Sequence, residues 1–121
     1  MTSRSEHLRG LLVQMLESHD ILRDPGNSED LEIVKRELVR INGFMKVLLK
    51  KGGEIQSSEF RSARAKFERY LGNYYFEQEI DTMSTLYSGD VGRIRSMRLK
   101  ILEALNEHKM IDDARRLVDT L

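Results

Sequence analysis

The sequence predicts an all-α fold, and three observations carry the prediction. Apolar residues recur at steps of three and four in almost every window, the β-branched alternation that marks strands is missing, and proline occurs once in 121 residues, at Pro25. Steps of three and four return side chains to one side of a helix, whereas a half-buried strand alternates at every second residue. A chain of this length suits one core. Residues 1–121 therefore read as a single domain, a small helical bundle of four main helices plus a short C-terminal helix, opening on an antiparallel helical hairpin.

The first helix is expected to start at Ser3 or Ser5, because Ser3 and Glu6 have the spacing of a capping box, and to end before Asp24, Pro25 and Gly26. Leu8, Leu11, Leu12, Met15, His19 and Leu22 share its inward face. The second helix is expected after Ser28, a good N-cap followed by Glu29 and Asp30, which suit the positive end of a helix dipole. It stops at Gly52 and Gly53. Leu31, Val34, Leu38, Ile41, Met45 and Leu48 alternate steps of three and four without a break, the spacing of a coiled-coil seam. Over so few heptads this seam predicts a hairpin with the first helix, turned at Pro25.

The third helix is expected to start near Ser57 or Ser58 and to run towards Tyr87. Phe60, Ala63, Phe67, Tyr70, Leu71 and Tyr74 form its first stripe; Phe76, Ile80, Met83 and Tyr87 form a second, nearly opposite on a straight helix. Gly72 and Asn73 fall at the changeover, so the helix either breaks there or is covered on different sides along its length. Ser88, Gly89 and Asp90 signal a turn, after which Val91, Ile94, Met97, Ile101, Leu102 and Leu105 line the fourth helix. A turn around residues 106–110 precedes a short fifth helix with Ile111, Ala114, Leu117, Val118 and Leu121 on one side, folding back on the fourth. Residues 102–121 resemble one helix-turn-helix unit of tetratricopeptide-type repeats, with Ala114 at the small-residue position. Without a second copy the resemblance implies a local geometry and no family.

Composition narrows the function classes. Twenty Lys and Arg balance twenty Asp and Glu, so there is little long-range field and any electrostatic recognition must be local. There is no cysteine, which excludes disulfides, thiolate zinc sites and a cysteine nucleophile, and fits a reducing compartment. Residues 1–9 are polar, unlike a signal peptide, and no segment approaches the roughly twenty apolar residues that span a bilayer. These features predict a cytoplasmic protein with no membrane partner.

No residue set predicts catalysis. His19 on an apolar face reads as a core histidine more readily than as a general base, and Glu77 with Asp81 reads as a solvated acidic face more readily than as a divalent-cation site. Glu followed three residues later by His, the di-iron signature, does not occur, and neither does a zinc spacing. Gly52 and Gly53 lack the Lys and hydroxyl of a P-loop, and Gly89 to Gly92 follows a helix instead of a strand. The expectation is no catalytic residue, no cofactor, no metal and no small-molecule substrate.

Two surfaces remain. The second helix carries Ile33, Phe44 and Val47 away from its seam, which with Phe76, Ile80, Met83 and Tyr87 makes more apolar faces than a simple four-helix packing needs. Phe44, Val47, Phe76, Ile80, Met83 and Tyr87 are therefore expected at a protein interface, and the chain at self-association or docking to another protein, as an adaptor or regulatory subunit. The alternative is a nucleic-acid backbone held by Arg61, Arg64, Arg93, Arg95 and Lys100, drawn from basic runs that would have to converge on one face. Arg98 falls between Ile94, Ile101, Leu102 and Leu105 on the inward side of its helix. It is expected to lay its stem across the core edge with its head on water or a carboxylate, in preference to anchoring an interface.

Overall fold

The structure, a computed structural model, describes residues 4–53, 55 and 57–121. Among these residues there are six α-helices and no strand: α1 (Arg4–Arg23), α2 (Leu31–Lys51), α3 (Ser58–Asn73), α4 (Phe76–Leu86), α5 (Val91–Asn106) and α6 (Met110–Thr120). The all-α bundle expected from the periodicity is what the chain forms. Ser3, named as a start for α1, lies outside the described residues.

The α1–α2 hairpin is the centre of the molecule. Val34, Leu38, Ile41, Met45 and Leu48 of the predicted seam are all fully buried, as are Leu8, Leu12, Met15 and Leu22 opposite. Burying a leucine or methionine of this kind contributes roughly 2–3 kcal/mol, so the seam supplies much of the driving force. The start of α2 is two residues later than expected. Pro25–Asn27 forms a single 3-10 turn, with the Asp24 carboxylate accepting from Gly26 N at 2.9 Å, and Ser28 belongs to its end. Asp30 is the N-cap instead, accepting from Ile33 N at 3.2 Å. At the other end Gly52 is needed for space: a Cβ there would come within 2.2 Å of the Phe60 ring.

Ser57 caps α3 as expected, its hydroxyl accepting from Phe60 N at 2.9 Å. The long third helix breaks. Tyr74 and Tyr75 leave the helical region just after Gly72 and Asn73, and α4 starts at Phe76. The break resolves the two opposed stripes: once the axis turns, Phe60, Ala63, Phe67 and Tyr70 and also Phe76, Ile80 and Met83 enter one core. Aromatic rings seat it, Tyr74 stacking on Phe76 at 5.0 Å between centroids with 12° between planes. The Tyr74 hydroxyl donates to Glu107, which raises the tyrosine's pKa by stabilising its protonated form.

The last helix does more than fold back on its neighbour. After a 3-10 turn at Glu107–Lys109, in which His108 and Lys109 have φ of 55° and 59°, α6 packs against α1 and α3 as well as α5. Asp113, buried on α6, takes hydrogen bonds from Lys66 and Arg116. Burial alone would raise its pKa; those two bonds outweigh it and hold the carboxyl below its ordinary value.

Candidate functional site

Helices α4 and α5 are joined by the short turn through Gly89 and both pack on α2, but α5 is held by α1 and α6 as well. Helix α4 packs on α2, where Asn42 Nδ2 donates to Glu77 at 3.0 Å and Lys35 pairs with Asp81 at 3.1 Å. Tyr70 completes that link, its buried hydroxyl donating to Asn42 Oδ1 at 2.9 Å. Helix α5 packs on α6, α1 and α2. Arg98, 8% exposed, donates from Nε to the Leu22 carbonyl and from Nη2 to the Arg23 carbonyl, both at 2.7 Å. Those carbonyls end α1 and have no partner further along the helix, so the guanidinium serves as their cap and meets the negative end of the helix dipole. Arg95 reaches Glu29, just ahead of α2.

Between them α4 and α5 leave an open groove of about 820 Å³. Glu79, Met83 and Tyr87 line it from α4 and its end, and Arg93, Met97 and Lys100 from α5. The floor is apolar, made by the two methionines. One end is closed by a stack in which the Arg93 guanidinium lies 3.9 Å from the Tyr87 ring centroid while its Nε donates to Asp90 at 3.1 Å. Beside that stack Leu86 is 65% and Val91 38% exposed, so apolar surface continues around the turn. Soft methionine side chains and a rim aromatic are well suited to contact with another protein.

The structure distributes the expected interface residues unevenly. Phe76, Ile80 and Met83 are buried in the chain's own core, with Met83 at its edge, 7% exposed, where it floors the groove. Tyr87 is 38% exposed and stands on the rim. Phe44 and Val47 are half-buried on α2, with Arg40 over the Phe44 ring at 5.8 Å, and do not line the groove. Of the basic residues, only two come together in the groove. Arg93 and Lys100 line the groove, Arg95 pairs with Glu29, Arg64 pairs with Glu68 at 3.4 Å, and Arg61 is exposed on α3.

The residues weighed for chemistry have structural neighbours. Glu77 and Asp81 are engaged by α2, and no group of three or more His, Asp or Glu among the described residues is placed to hold a metal ion. His19 is buried, with neither ring nitrogen hydrogen-bonded. Burial first, then the nearby charges of Arg23 and Arg115, lower its pKa to about 4 in spite of Asp20, so it is a neutral imidazole at neutral pH. No helix of the described chain is long and apolar enough to cross a membrane.

Sequence reasoning placed Met83, Tyr87, Arg93 and Lys100 in two separate proposals, and the structure brings them into one groove. It missed Glu79 as the acidic member of that wall. Asn42 and Glu37 were also missed, both buried beside the α2 seam. The signal was present: Asn42 lies four residues after Leu38, and Glu37 lies four before Ile41, so both fall on the apolar face. Glu37 is neutralised there by Arg36 at 2.8 Å and Arg40 at 3.9 Å. No family model matches the chain, and neither a curated protein nor a solved structure matches it.

Proposed function

We propose that this chain is a non-catalytic protein-interaction module of the cytoplasm that self-associates through the groove between α4 and α5. The observation that carries the reading is the groove itself: a methionine floor and tyrosine rim left open between α4, held to α2 through Glu77, and α5, held to the end of α1 through Arg98. Charge argues for a second copy as the occupant. Of the charged residues that line the groove, α4 supplies the acidic Glu79 and α5 the basic Arg93 and Lys100, with Asp90 ahead of α5 already paired to Arg93. A groove with one acidic and one basic wall is complementary to itself. The absence of cysteine agrees with a reducing compartment.

The nucleic-acid alternative is carried less far, because Arg64, Arg93 and Arg95 already face carboxylates. Solution mass tests the choice. Across a dilution series the wild type is expected to exceed the 14.1 kDa of one chain and to hold that mass as salt rises, since apolar association persists when charges are screened. Tyr87→Glu is expected to return it to monomer with its helical circular dichroism intact. Met83 is the poorer probe, because a charge there would enter the core. A wild type that stays at single-chain mass, or that binds a random oligonucleotide with a steep loss on added salt, would overturn the reading.

A further inference from the structure

Two charges in the groove stand apart from all the others on its walls. On α4, Glu77 is bound by Asn42 and Lys46 and Asp81 by Lys35. On α5, Arg93 is bound by Asp90, Arg95 by Glu29, and Arg98 by the carbonyls that end α1. The side chains of Glu79 and Lys100 are exposed, line opposite walls, and have no hydrogen bond or ion pair with each other or with any other described residue.

We infer that two copies pair about a two-fold axis through their α4–α5 grooves, so that Glu79 of each copy meets Lys100 of the other. This rests on the self-association proposed above and adds its register. A two-fold operation makes residue i contact j and j contact i. It therefore carries the acidic wall of one copy onto the basic wall of the other and forms the same pair twice. A translational, head-to-tail contact satisfies one pair and leaves a Glu79 and a Lys100 open at the two ends, which leads to filaments. In the two-fold arrangement Tyr87, with the exposed Leu86 and Val91 beside it, supplies most of the apolar area over a floor of Met83 and Met97, and the two charge pairs choose the orientation.

Charge reversal separates this register from other ways of filling the groove. In Glu79→Lys every symmetric pair becomes two ammonium groups, and in Lys100→Glu two carboxylates, so each variant alone is expected to dimerise at least about tenfold more weakly than wild type. Mixed together they restore both attractive pairs. An equimolar mixture is expected to recover the dimer mass, and differently tagged chains are expected to co-purify as heterodimers; the doubly reversed chain should dimerise with itself. Both positions are exposed, so circular dichroism is expected to be unchanged, and recovery on mixing itself requires folded chains. If either single variant dimerises as wild type does, or the mixture stays monomeric, the pairing is wrong. Should wild type dimerise, Tyr87→Glu not, and both reversals behave as wild type, the groove docks a copy in another register and only this inference fails. A monomeric wild type removes both.

Discussion

Between α1 and α2 the facing side chains, Leu8, Leu12, Met15 and Leu22 against Val34, Leu38, Ile41, Met45 and Leu48, are closed to solvent; between α4 and α5 a groove stays open over two methionines. The difference does not lie in how apolar the helices are, since α4 and α5 each bury a regular stripe. It lies in what their polar anchors hold. The Pro25 turn sends α2 straight back along α1. After the turn at Gly89, Arg98 holds α5 to the end of α1, while Glu77 and Asp81 hold α4 to α2. The polar side chains of the two helices thus find their partners elsewhere, Arg98 buried on the α1 carbonyls and Glu77 and Asp81 part-exposed on α2, and a groove is left between them.

The contrast is sharpest in the cost of truncation. Leu38→Ala removes a fully buried side chain from the closed seam, where neighbours on every side resist collapse, and is expected to cost about 3–4 kcal/mol in urea unfolding. Met97→Ala, at the groove floor, is expected to cost about 1–2 kcal/mol, because one side of the lost volume is already open to water. Equal losses at the two positions would mean that the groove is as tightly packed as the hairpin, and the distinction drawn between them would not stand.

Much of the closed region was legible in the sequence and little of the open one. Periodicity identified most of the inward apolar residues, since burial of a stripe is a local consequence of helical spacing, but not all: Val91, expected inward at the start of its helix, is 38% exposed. The break after Gly72 was one of two stated options because two opposed stripes cannot share one side of a straight helix. The groove was not legible, because it depends on pairings across distances the spacing cannot express: Asn42 with Glu77, Lys35 with Asp81, Arg95 with Glu29. For the same reason the sequence assigned Phe76 and Ile80 to an outer surface. Their stripe looked surplus only while α4 was taken as the straight continuation of α3. Arg98 was placed inward correctly, but its partners are backbone carbonyls, which no residue pattern reveals.

Arg98 is the next place to break the comparison. Arg98→Leu keeps the stem's apolar contact but leaves the Leu22 and Arg23 carbonyls without their charged donor, so a loss of about 2–3 kcal/mol is expected. Arg98→Lys is expected to recover only part of this, since an ammonium lacks the planar fork that reaches two carbonyls at once. If leucine proves neutral in urea unfolding, the tether that sets α5 apart from α4 is not this residue.

The smallest effect is one of pH and tests the closed side alone. His19 is held neutral by burial and by Arg23 and Arg115, with a pKa of about 4 in the folded chain against 6.5 unperturbed. Between those values the unfolded chain binds the proton that the folded chain refuses, so stability is full above about pH 6.5 and falls as the pH drops towards 4. The fall should reach about 1–3 kcal/mol at the acid end of that window. Asp113 works in the opposite range: its carboxyl is held below its ordinary value, so its contribution is lost only at still lower pH, and the window belongs to His19. Unfolding measured at about pH 7 and about pH 4.5 should therefore show wild type weakening while His19→Leu, with no imidazole to charge, weakens much less. Parallel curves for the two proteins would mean that protons reach some other group first, and that the seam around His19 is less closed than its burial indicates.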